Sequence, residues 1–281
     1  MTERPLPLLA GLIGWPVQQS KSPLIHEFWL KKVGVDGHYV RLPVRPGAVE
    51  AAFRGMVDLG FVGVQATMPH KRDCFRLVDS LTPTAKALGA VNTVIVQPDA
   101  SLLGHNTDMA GFLEPLAEAD FAGRCVTVLG AGGAAAAIMV GLASKRPARI
   151  NLVNRSPVGI ETLLKDIGPA LDGIEVQTGD WSAAARFASE SALVANATSL
   201  GMAGQPELPL QVSVLPDDAI VYDIITHPHD TDLLKAARAR GLVTYDGMHM
   251  LVGQAREAFT LFFGAEPPAM HDGELRDRLT S

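Results

Sequence analysis

Apolar residues along the chain fall into short continuous runs that alternate with stretches in which apolar residues recur every three or four positions. The runs at 8–13, 61–67, 126–129 and 150–153 are typical of buried strands. Residues 48–59 have the spacing of an amphipathic helix. Because strands that alternate with helices form parallel sheets, the pattern predicts an α/β protein.

The N-terminal part predicts a small, mostly parallel sheet, with an additional strand at 38–44 and a helix that begins at Leu24. Ser22 precedes Pro23 and is predicted to be the N-cap of this helix. Ser20 is not predicted to cap this helix. Two hydroxyls beside a helix N-terminus can also hold a carboxylate, so a structural role and a ligand-binding role stay open.

A second helix is predicted after the third strand of this sheet, with Cys74, Phe75, Val78 and Leu81 on its inner face. Lys71 would lie in its first turn, near the carboxyl end of a strand, where ligands gather in α/β sheets. A cation there opposes the helix dipole, which favours a functional role. The alternative is a lysine that simply faces the solvent.

Residues 89–96 predict a further strand, after which the chain reaches Asn106-Thr107-Asp108. Asp108 precedes apolar residues at helical spacing, so its structural role would be that of an N-cap. The helix that begins there is predicted to carry the chain into a second domain.

A strand, a tight turn and a helix are predicted where Val126–Leu129 run into Gly130-Ala131-Gly132 and the small residues 133–137. Glycines let the backbone approach a ligand, and the helix N-terminus offers unpaired N–H groups, so a pyrophosphate fits there. Ordinary strand-to-helix packing is the alternative.

Asn154-Arg155-Ser156 follow the next strand, about 20 residues past the glycines, where a dinucleotide site contacts the adenosine ribose. An acidic residue is missing there, and Arg155 could neutralise a 2′-phosphate, which favours NADP over NAD. A solvated arginine is the alternative.

Further strands at 193–196, 220–225 and 242–245 complete a doubly wound sheet. Residues 248–263 predict a long helix that returns to the first domain. We therefore expect three segments. They are a substrate-binding domain at 1–106, a nucleotide-binding domain at 107–247, and C-terminal helices at 248–281.

The net charge argues against one class of partner. The 281 residues carry a net charge of −6 without runs of like charge, which argues against a surface that binds nucleic acid.

The cysteines, the apolar runs and the histidines indicate the expected environment and ligands. Cys74 and Cys125 lie in apolar stretches without paired spacing, as in a reduced cytoplasmic protein. Neither a signal peptide nor an apolar run of membrane-spanning length is found, so no membrane association is expected. His227 and His229 flank a proline without a second ligand pair, and no metal is expected.

With its motifs taken together, the chain resembles the shikimate dehydrogenase family over essentially its whole length. The matching motifs, in the family's order, are Ser-Lys-Ser-Pro at 20–23, Thr67-x-Pro69-x-Lys71, Gly-Ala-Val-Asn-Thr at 89–93, Asn106-Thr107-Asp108, Gly-Ala-Gly-Gly-Ala at 130–134, Asn154-Arg155, Asn-Ala-Thr-Ser at 196–199, and Asp246-Gly247-x-x-Met250-Leu251-Val252-x-Gln254-Ala255.

The resemblance implies an N-terminal α/β substrate domain, a Rossmann-type NADP domain, and reversible NADP-linked reduction of 3-dehydroshikimate to shikimate. It implies that Lys71 and Asp108 form a catalytic pair. The implied substrate-binding residues are Ser20, Ser22, Thr67, Asn92 and Gln254, and Asp108 would also contact a ring hydroxyl. The implied cofactor-binding residues are Gly130, Ala131, Gly132, Gly133, Ala134, Asn154, Arg155, Ser156, Thr198, Ile224 and Gly247.

The chain departs from the family pattern at several positions. Gln65, His105, Thr226 and His249 stand where the family usually has Asn, Asp, Tyr and Gly, and Gly159 lies near the place of a second arginine. A paralogous dehydrogenase for quinate or another cyclitol acid, using NAD or NADP, is therefore the alternative. A non-catalytic NAD(P)-binding regulatory protein is a further alternative, against which the catalytic pair argues. A monomer or homodimer is expected.

Overall fold

The computed structural model describes residues 6–280, which form two compact units. One unit contains the described residues up to Thr107 and those from Gln254 onward, and the other is Asp108–Gly253. Each unit contains one six-stranded sheet. The last long helix begins in the second unit and ends in the first, so the C-terminal residues belong to the same unit as the N-terminal ones.

In the first unit, strands alternate with helices until a hairpin ends the pattern. Its elements are β1 (Leu8–Gly14), α1 (Ser22–Val33), β2 (Gly37–Pro43), α2 (Val49–Asp58), β3 (Phe61–Ala66), α3 (Lys71–Leu77), β4 (Ser80–Leu81), α4 (Pro83–Leu88), β5 (Thr93–Val96) and β6 (Leu102–His105). The strand order is β2-β1-β3-β5-β6-β4.

The sheet of the first unit is mixed. Strand β1 pairs in parallel with β2 and β3, whereas β5 is antiparallel to β3 and β6. Only residues 97–101 connect β5 to β6, which is too short for a parallel crossover.

The second unit has an all-parallel sheet in the order β12-β11-β10-β7-β8-β9. Its elements are α5 (Asp108–Leu113), β7 (Cys125–Leu129), α6 (Gly133–Ser144), β8 (Arg149–Val153), α7 (Pro157–Ile167), β9 (Glu175–Gly179), α8 (Ala184–Ala188), β10 (Ser191–Asn196), β11 (Ile220–Asp223), α9 (Asp232–Ala239), β12 (Val243–Tyr245) and the first part of α10 (Gly247–Phe263). The order reverses between β7 and β10, as in a Rossmann-type sheet, which confirms the predicted doubly wound α/β fold.

Short 3-10 helices and a last α-helix complete the chain. The 3-10 helices are Glu114–Leu116, Gly168–Leu171, Trp181–Ala183, Val212–Val214 and Ala269–His271. Helix α11 (Asp272–Thr280) ends the described residues.

The secondary structure departs from the prediction at α1, α3 and β9. Helix α1 begins at Ser22, two residues earlier than predicted. Helix α3 ends at Leu77 because Val78 is extended, so Val78 and Leu81, both predicted on the helix, lie beyond it, and Leu81 is in β4. The strand β9 was missed, because Glu175–Gly179 is half polar and lies at the edge of its sheet.

Close packing of α10 on the first sheet depends on a glycine in β3. A Cβ atom at Gly63 would collide with the carbonyl oxygen of Val94 on β5 and with the ring of Phe262 on α10. Neither a strand carbonyl nor a buried ring can move freely, so only glycine allows this contact.

We expect Gly63→Ala to destabilise the protein by about 3 kcal/mol, because the added methyl group overpacks the interface between β3 and α10. Gly55→Ala is the matched control, since a Cβ atom there meets nothing within 4 Å and Gly55 lies in the helix α2. It should stabilise the protein by about 0.5–1 kcal/mol. Urea unfolding of both variants measures the difference, and equal stabilities would contradict the packing account.

Candidate active site

Ser20 and Ser22 form a hydroxyl pair between β1 and α1. Their Oγ atoms are 3.2 Å apart, and the backbone N–H of Ser22 donates to Oγ of Ser20 at 3.2 Å. Ser22 was predicted to be the N-cap of α1, and this is wrong: Lys21 occupies that position without a side-chain cap, and Ser22 is the first helical residue. Because the helix starts earlier, the hydroxyl of Ser22 is not used for capping.

Thr67 and Lys71 flank a tightly anchored loop at the carboxyl end of β3. Thr67 donates its backbone N–H to Ile13 of the neighbouring β1 at 3.0 Å. The ring of His70 is fully buried, with Nε2 2.8 Å from the carbonyl oxygen of Val44. Lys71 is the first residue of α3 and is half-buried. The backbone of Lys71 is therefore held in place by its buried neighbour.

Asn92 fixes the end of the chain segment that leads into the second unit. Its Oδ1 accepts from the backbone N–H of Thr107 at 2.9 Å and from Oγ1 of Thr93 at 2.8 Å. Its Nδ2 donates to Oγ1 of Thr107 at 3.1 Å. Asp108, the next residue, begins α5. The buried amide of Asn92 thus sets where the chain enters α5.

Gln254, on α10, is hydrogen-bonded to Gln65, the last residue but one of β3. Nε2 of Gln65 donates to Oε1 of Gln254 at 2.6 Å. Gln65 also contacts His26 and Tyr39, neither of which the sequence predicted as a site residue. A sequence signal was the position of His26 beside the apolar residues Leu24, Ile25, Phe28 and Trp29 of α1.

The turn after β7 contains only glycine and alanine residues. Gly130 has φ = +104°, and a Cβ atom there would lie 2.8 Å from Cγ2 of Thr198. Gly132 is the N-cap of the 12-residue helix α6, without a side-chain cap, and nothing lies within 4 Å of a Cβ atom built on Gly132 or Gly133. This open helix N-terminus fits the pyrophosphate of a dinucleotide. Ala131 and Ala134 complete the turn with small side chains.

Asn154, Arg155 and Ser156 form the turn between β8 and α7. Nδ2 of Asn154 donates to the carbonyl oxygen of Ser156 at 3.0 Å, and Oγ of Ser156 caps α7 by accepting from the N–H of Gly159. Arg155 is exposed. Since a Cβ atom at Gly159 would lie 2.8 Å from Nδ2 of Asn154, glycine leaves room for this turn.

The loop after β10 is tied to the end of β11. Oδ1 of Asn196 accepts from the N–H and the hydroxyl of Thr198, and its Nδ2 donates to Oδ1 of Asp223 at 3.0 Å. Oδ2 of Asp223 accepts from Thr231 at 2.7 Å. Burial raises the pKa of Asp223, because its charged form is desolvated. These bonds hold Thr198 beside Gly130.

Ile224 and Gly247 meet at the start of α10. The N–H of Ile224 donates to the carbonyl oxygen of Asn196 at 3.1 Å. A Cβ atom at Gly247 would collide with the backbone carbonyls of Ile224 and Ile225. Gly247 is therefore required for the helix to begin against this strand end.

Among residues 6–280, no three His, Cys, Asp or Glu side chains lie close enough to hold a metal ion, and His227 and His229 belong to no such group. Within the same range, every helix is too short or too polar to cross a bilayer.

Comparison with known proteins identifies the family. Residues 12–94 match the family model described as Shikimate dehydrogenase substrate binding domain. A Sphingopyxis alaskensis protein named shikimate dehydrogenase (NADP(+)) is 48% identical over 273 residues, which cover 97% of each chain. The structure of Listeria monocytogenes shikimate 5-dehydrogenase in complex with shikimate and NAD matches with a TM-score of 0.88 at 31% identity, covering 98% of this chain and 99% of that one. Quinate dehydrogenase of Corynebacterium glutamicum in complex with NAD matches with a TM-score of 0.89 at 31% identity, covering 97% and 99%. This chain belongs to the shikimate dehydrogenase family.

Proposed function

We propose that this protein is an NADP-linked shikimate dehydrogenase, which reversibly reduces 3-dehydroshikimate to shikimate. The observation that carries the proposal is the 48% identity, over 97% of both chains, with a relative named shikimate dehydrogenase (NADP(+)). Identity of this extent covers both units, and this chain keeps Lys71 and Asp108, the two residues that the chemistry requires.

The substrate would be held mainly by the first unit. Ser20 and Ser22 would bind the carboxylate, because two adjacent hydroxyls, each able to turn its O–H toward a ligand, lie at the N-terminus of a 12-residue helix. Thr67, Asn92 and Gln254 would hydrogen-bond the ring oxygens. The anchored loop after β3 and the buried amide of Asn92 support this role, since pre-organised donors bind with less entropy loss.

The cofactor would be held by the second unit, which we propose as the NADP domain. The pyrophosphate would lie on the glycine- and alanine-containing turn at 130–134, and Arg155, flanked by Asn154 and Ser156, would bind the 2′-phosphate. Thr198, Ile224 and Gly247, at the ends of neighbouring strands, would line the nicotinamide. When bound, the nicotinamide supplies or accepts the hydride.

Lys71 would transfer the proton, and Asp108 would assist it. As the ketone is reduced, its oxygen gains negative charge, which the ammonium of Lys71 stabilises and then neutralises by donating a proton. The carboxylate of Asp108 would keep that ammonium ordered and accept a hydrogen bond from a substrate hydroxyl. In the reverse direction the amine of Lys71 takes the proton back.

Quinate is a second candidate substrate, because a quinate dehydrogenase matches this chain with a TM-score of 0.89. The departures at Gln65, His105, Thr226 and His249 would also change the surroundings of the substrate or of the nicotinamide. We further propose a reducing, cytoplasmic location, which the two free cysteines, Cys74 and Cys125, support. The protein would act as a monomer or homodimer, without metal, nucleic acid or membrane.

We expect Lys71→Ala to lower kcat for shikimate oxidation by about 10² to 10⁴-fold, because the proton acceptor is lost. Steady-state absorbance at the nicotinamide band measures it. Lys86→Ala is the matched control, since Lys86 is an exposed lysine on α4, and it should keep the kcat of the original chain. A Lys71→Ala variant that turns over at the same rate as the control would remove Lys71 from the mechanism.

We expect Arg155→Ala to raise KM for NADP⁺ by about ten- to a hundredfold, because a charge-assisted bond to the 2′-phosphate is lost. KM for NAD⁺, which lacks that phosphate, serves as the internal control and should change by less than about threefold. If both KM values rise equally, Arg155 does not select the phosphate.

A further inference from the structure

A chain of hydrogen bonds links three buried side chains of the first unit to Gln254. We call it the amide network, and it consists of His26, Tyr39, Gln65 and Gln254. Oε1 of Gln65 accepts from the hydroxyl of Tyr39 at 2.7 Å and lies 3.2 Å from Nε2 of His26, while its Nε2 donates to Oε1 of Gln254 at 2.6 Å. His26, Tyr39 and Gln65 are 0%, 2% and 3% exposed. The function proposed above gives His26 and Tyr39 no role, and names Gln65 only as a departure from the family pattern.

The tautomer of His26 fixes the direction of the whole network. Burial lowers the pKa of His26 to about 3, so its ring is neutral and carries one N–H. Among the described residues, Nδ1 of His26 has no hydrogen-bond partner. A buried N–H without a partner costs more than a buried lone pair, so the proton lies on Nε2 and is donated to Gln65.

Two donors therefore face the carbonyl oxygen of Gln65. The ring of Tyr39 stacks on the ring of His26, with centroids 3.9 Å apart and planes 3° from parallel, which holds both donors in place. An amide whose oxygen is engaged on one side must present its nitrogen on the other. Gln65 is thus a donor toward Gln254 and cannot turn over without breaking two bonds.

The oxygen of Gln254 faces two possible donors. Besides the 2.6 Å bond from Gln65, it lies 3.5 Å from the hydroxyl of Thr107, whose single proton also has Oδ1 of Asn92 within 3.3 Å. The amide of Gln254 therefore has its oxygen turned toward β3 and Thr107, which leaves its nitrogen on the opposite side of the amide plane.

We propose that Gln65 is a positioning residue for substrate binding, which holds Gln254 so that its amide nitrogen, and not its oxygen, faces the substrate. This inference rests on the proposed function, which makes Gln254 a substrate-binding residue. It adds that the substrate oxygen beside Gln254 accepts a hydrogen bond from the amide nitrogen of Gln254. His26 and Tyr39 fix this direction because both donate to the oxygen of Gln65. A substrate group that must donate there would be rejected.

The variant Gln65→Glu tests the polarity of the network. A protonated carboxyl imitates the amide, because its carbonyl accepts from His26 and Tyr39 while its O–H donates to Gln254. An ionised carboxyl only accepts, so Gln254 would have to turn its nitrogen toward it and its oxygen toward the substrate. His26 and Tyr39 do not titrate between about pH 6 and about pH 9, because burial lowers the pKa of the first and raises that of the second.

The quantity to measure is the KM for shikimate of Gln65→Glu divided by the KM of the original chain. We expect this ratio to be near one at about pH 6 and to rise to about ten at about pH 9, while kcat changes less. Equilibrium binding of shikimate, measured by calorimetry at the two ends of the range, should change in parallel. Gln97→Glu is the matched control, a similar change outside the network, and its ratio should stay near one. A ratio for Gln65→Glu that does not change with pH overturns the proposal.

Gln65→Met provides a second, independent test in case the carboxyl variant fails to fold. Methionine has a similar volume but cannot donate to Gln254, so KM for shikimate should rise about tenfold at every pH. In a Gln254→Ala background the same change should have no further effect on KM, because the group it orients is gone. Additive effects, or an unchanged KM in the single variant, contradict the positioning role.

The proposed function and the positioning role fail in different ways. An original chain that binds shikimate but does not oxidise it contradicts the dehydrogenase activity, while the calorimetric comparison of variants still tests Gln65. An active original chain with a pH-independent Gln65→Glu ratio contradicts only the role of Gln65. If shikimate neither binds nor reacts, both proposals are wrong.

Discussion

The direction of parallel strands is the constraint on which each half of the candidate site depends. Strands that run the same way end at the same edge of their sheet, so the residues that follow them lie side by side. In the second unit this brings the turns after β7, β8, β10 and β11 to one edge. In the first unit it brings the segments after β1 and β3 together. Strand direction alone therefore brings together residues that are far apart in the sequence.

Buried hydrogen bonds then hold these turns in one conformation. Asn92 binds Thr107 through both ends of its amide, and Asn196 links its own loop to Asp223. A buried polar group without a partner costs about 1–3 kcal/mol, so a turn that released such a bond would be destabilised. The amide network of Gln65 follows the same rule. His26 and Tyr39 donate to the oxygen of Gln65, so its nitrogen donates to the oxygen of Gln254 and thereby orients Gln254.

Much of the fold was predictable because its signals are local. The glycines after β7, the apolar runs of β8 and β10, and the alternation with helices all lie within short windows, and the α/β fold is confirmed. Polar edge strands such as β9 lack that signal. The start of α1 was misplaced because proline after serine marks a helix start only within a few residues. The contacts between His26, Tyr39 and Gln65 join α1, β2 and β3. They could not be predicted from patterns in short windows of the sequence, because no such window contains all three residues.

The proposed activity is tested most directly by initial rates with shikimate and with quinate, each with NADP⁺ and with NAD⁺. The account predicts the highest kcat/KM for shikimate with NADP⁺. A rate above background only with quinate, or with none of the four pairs, would contradict it.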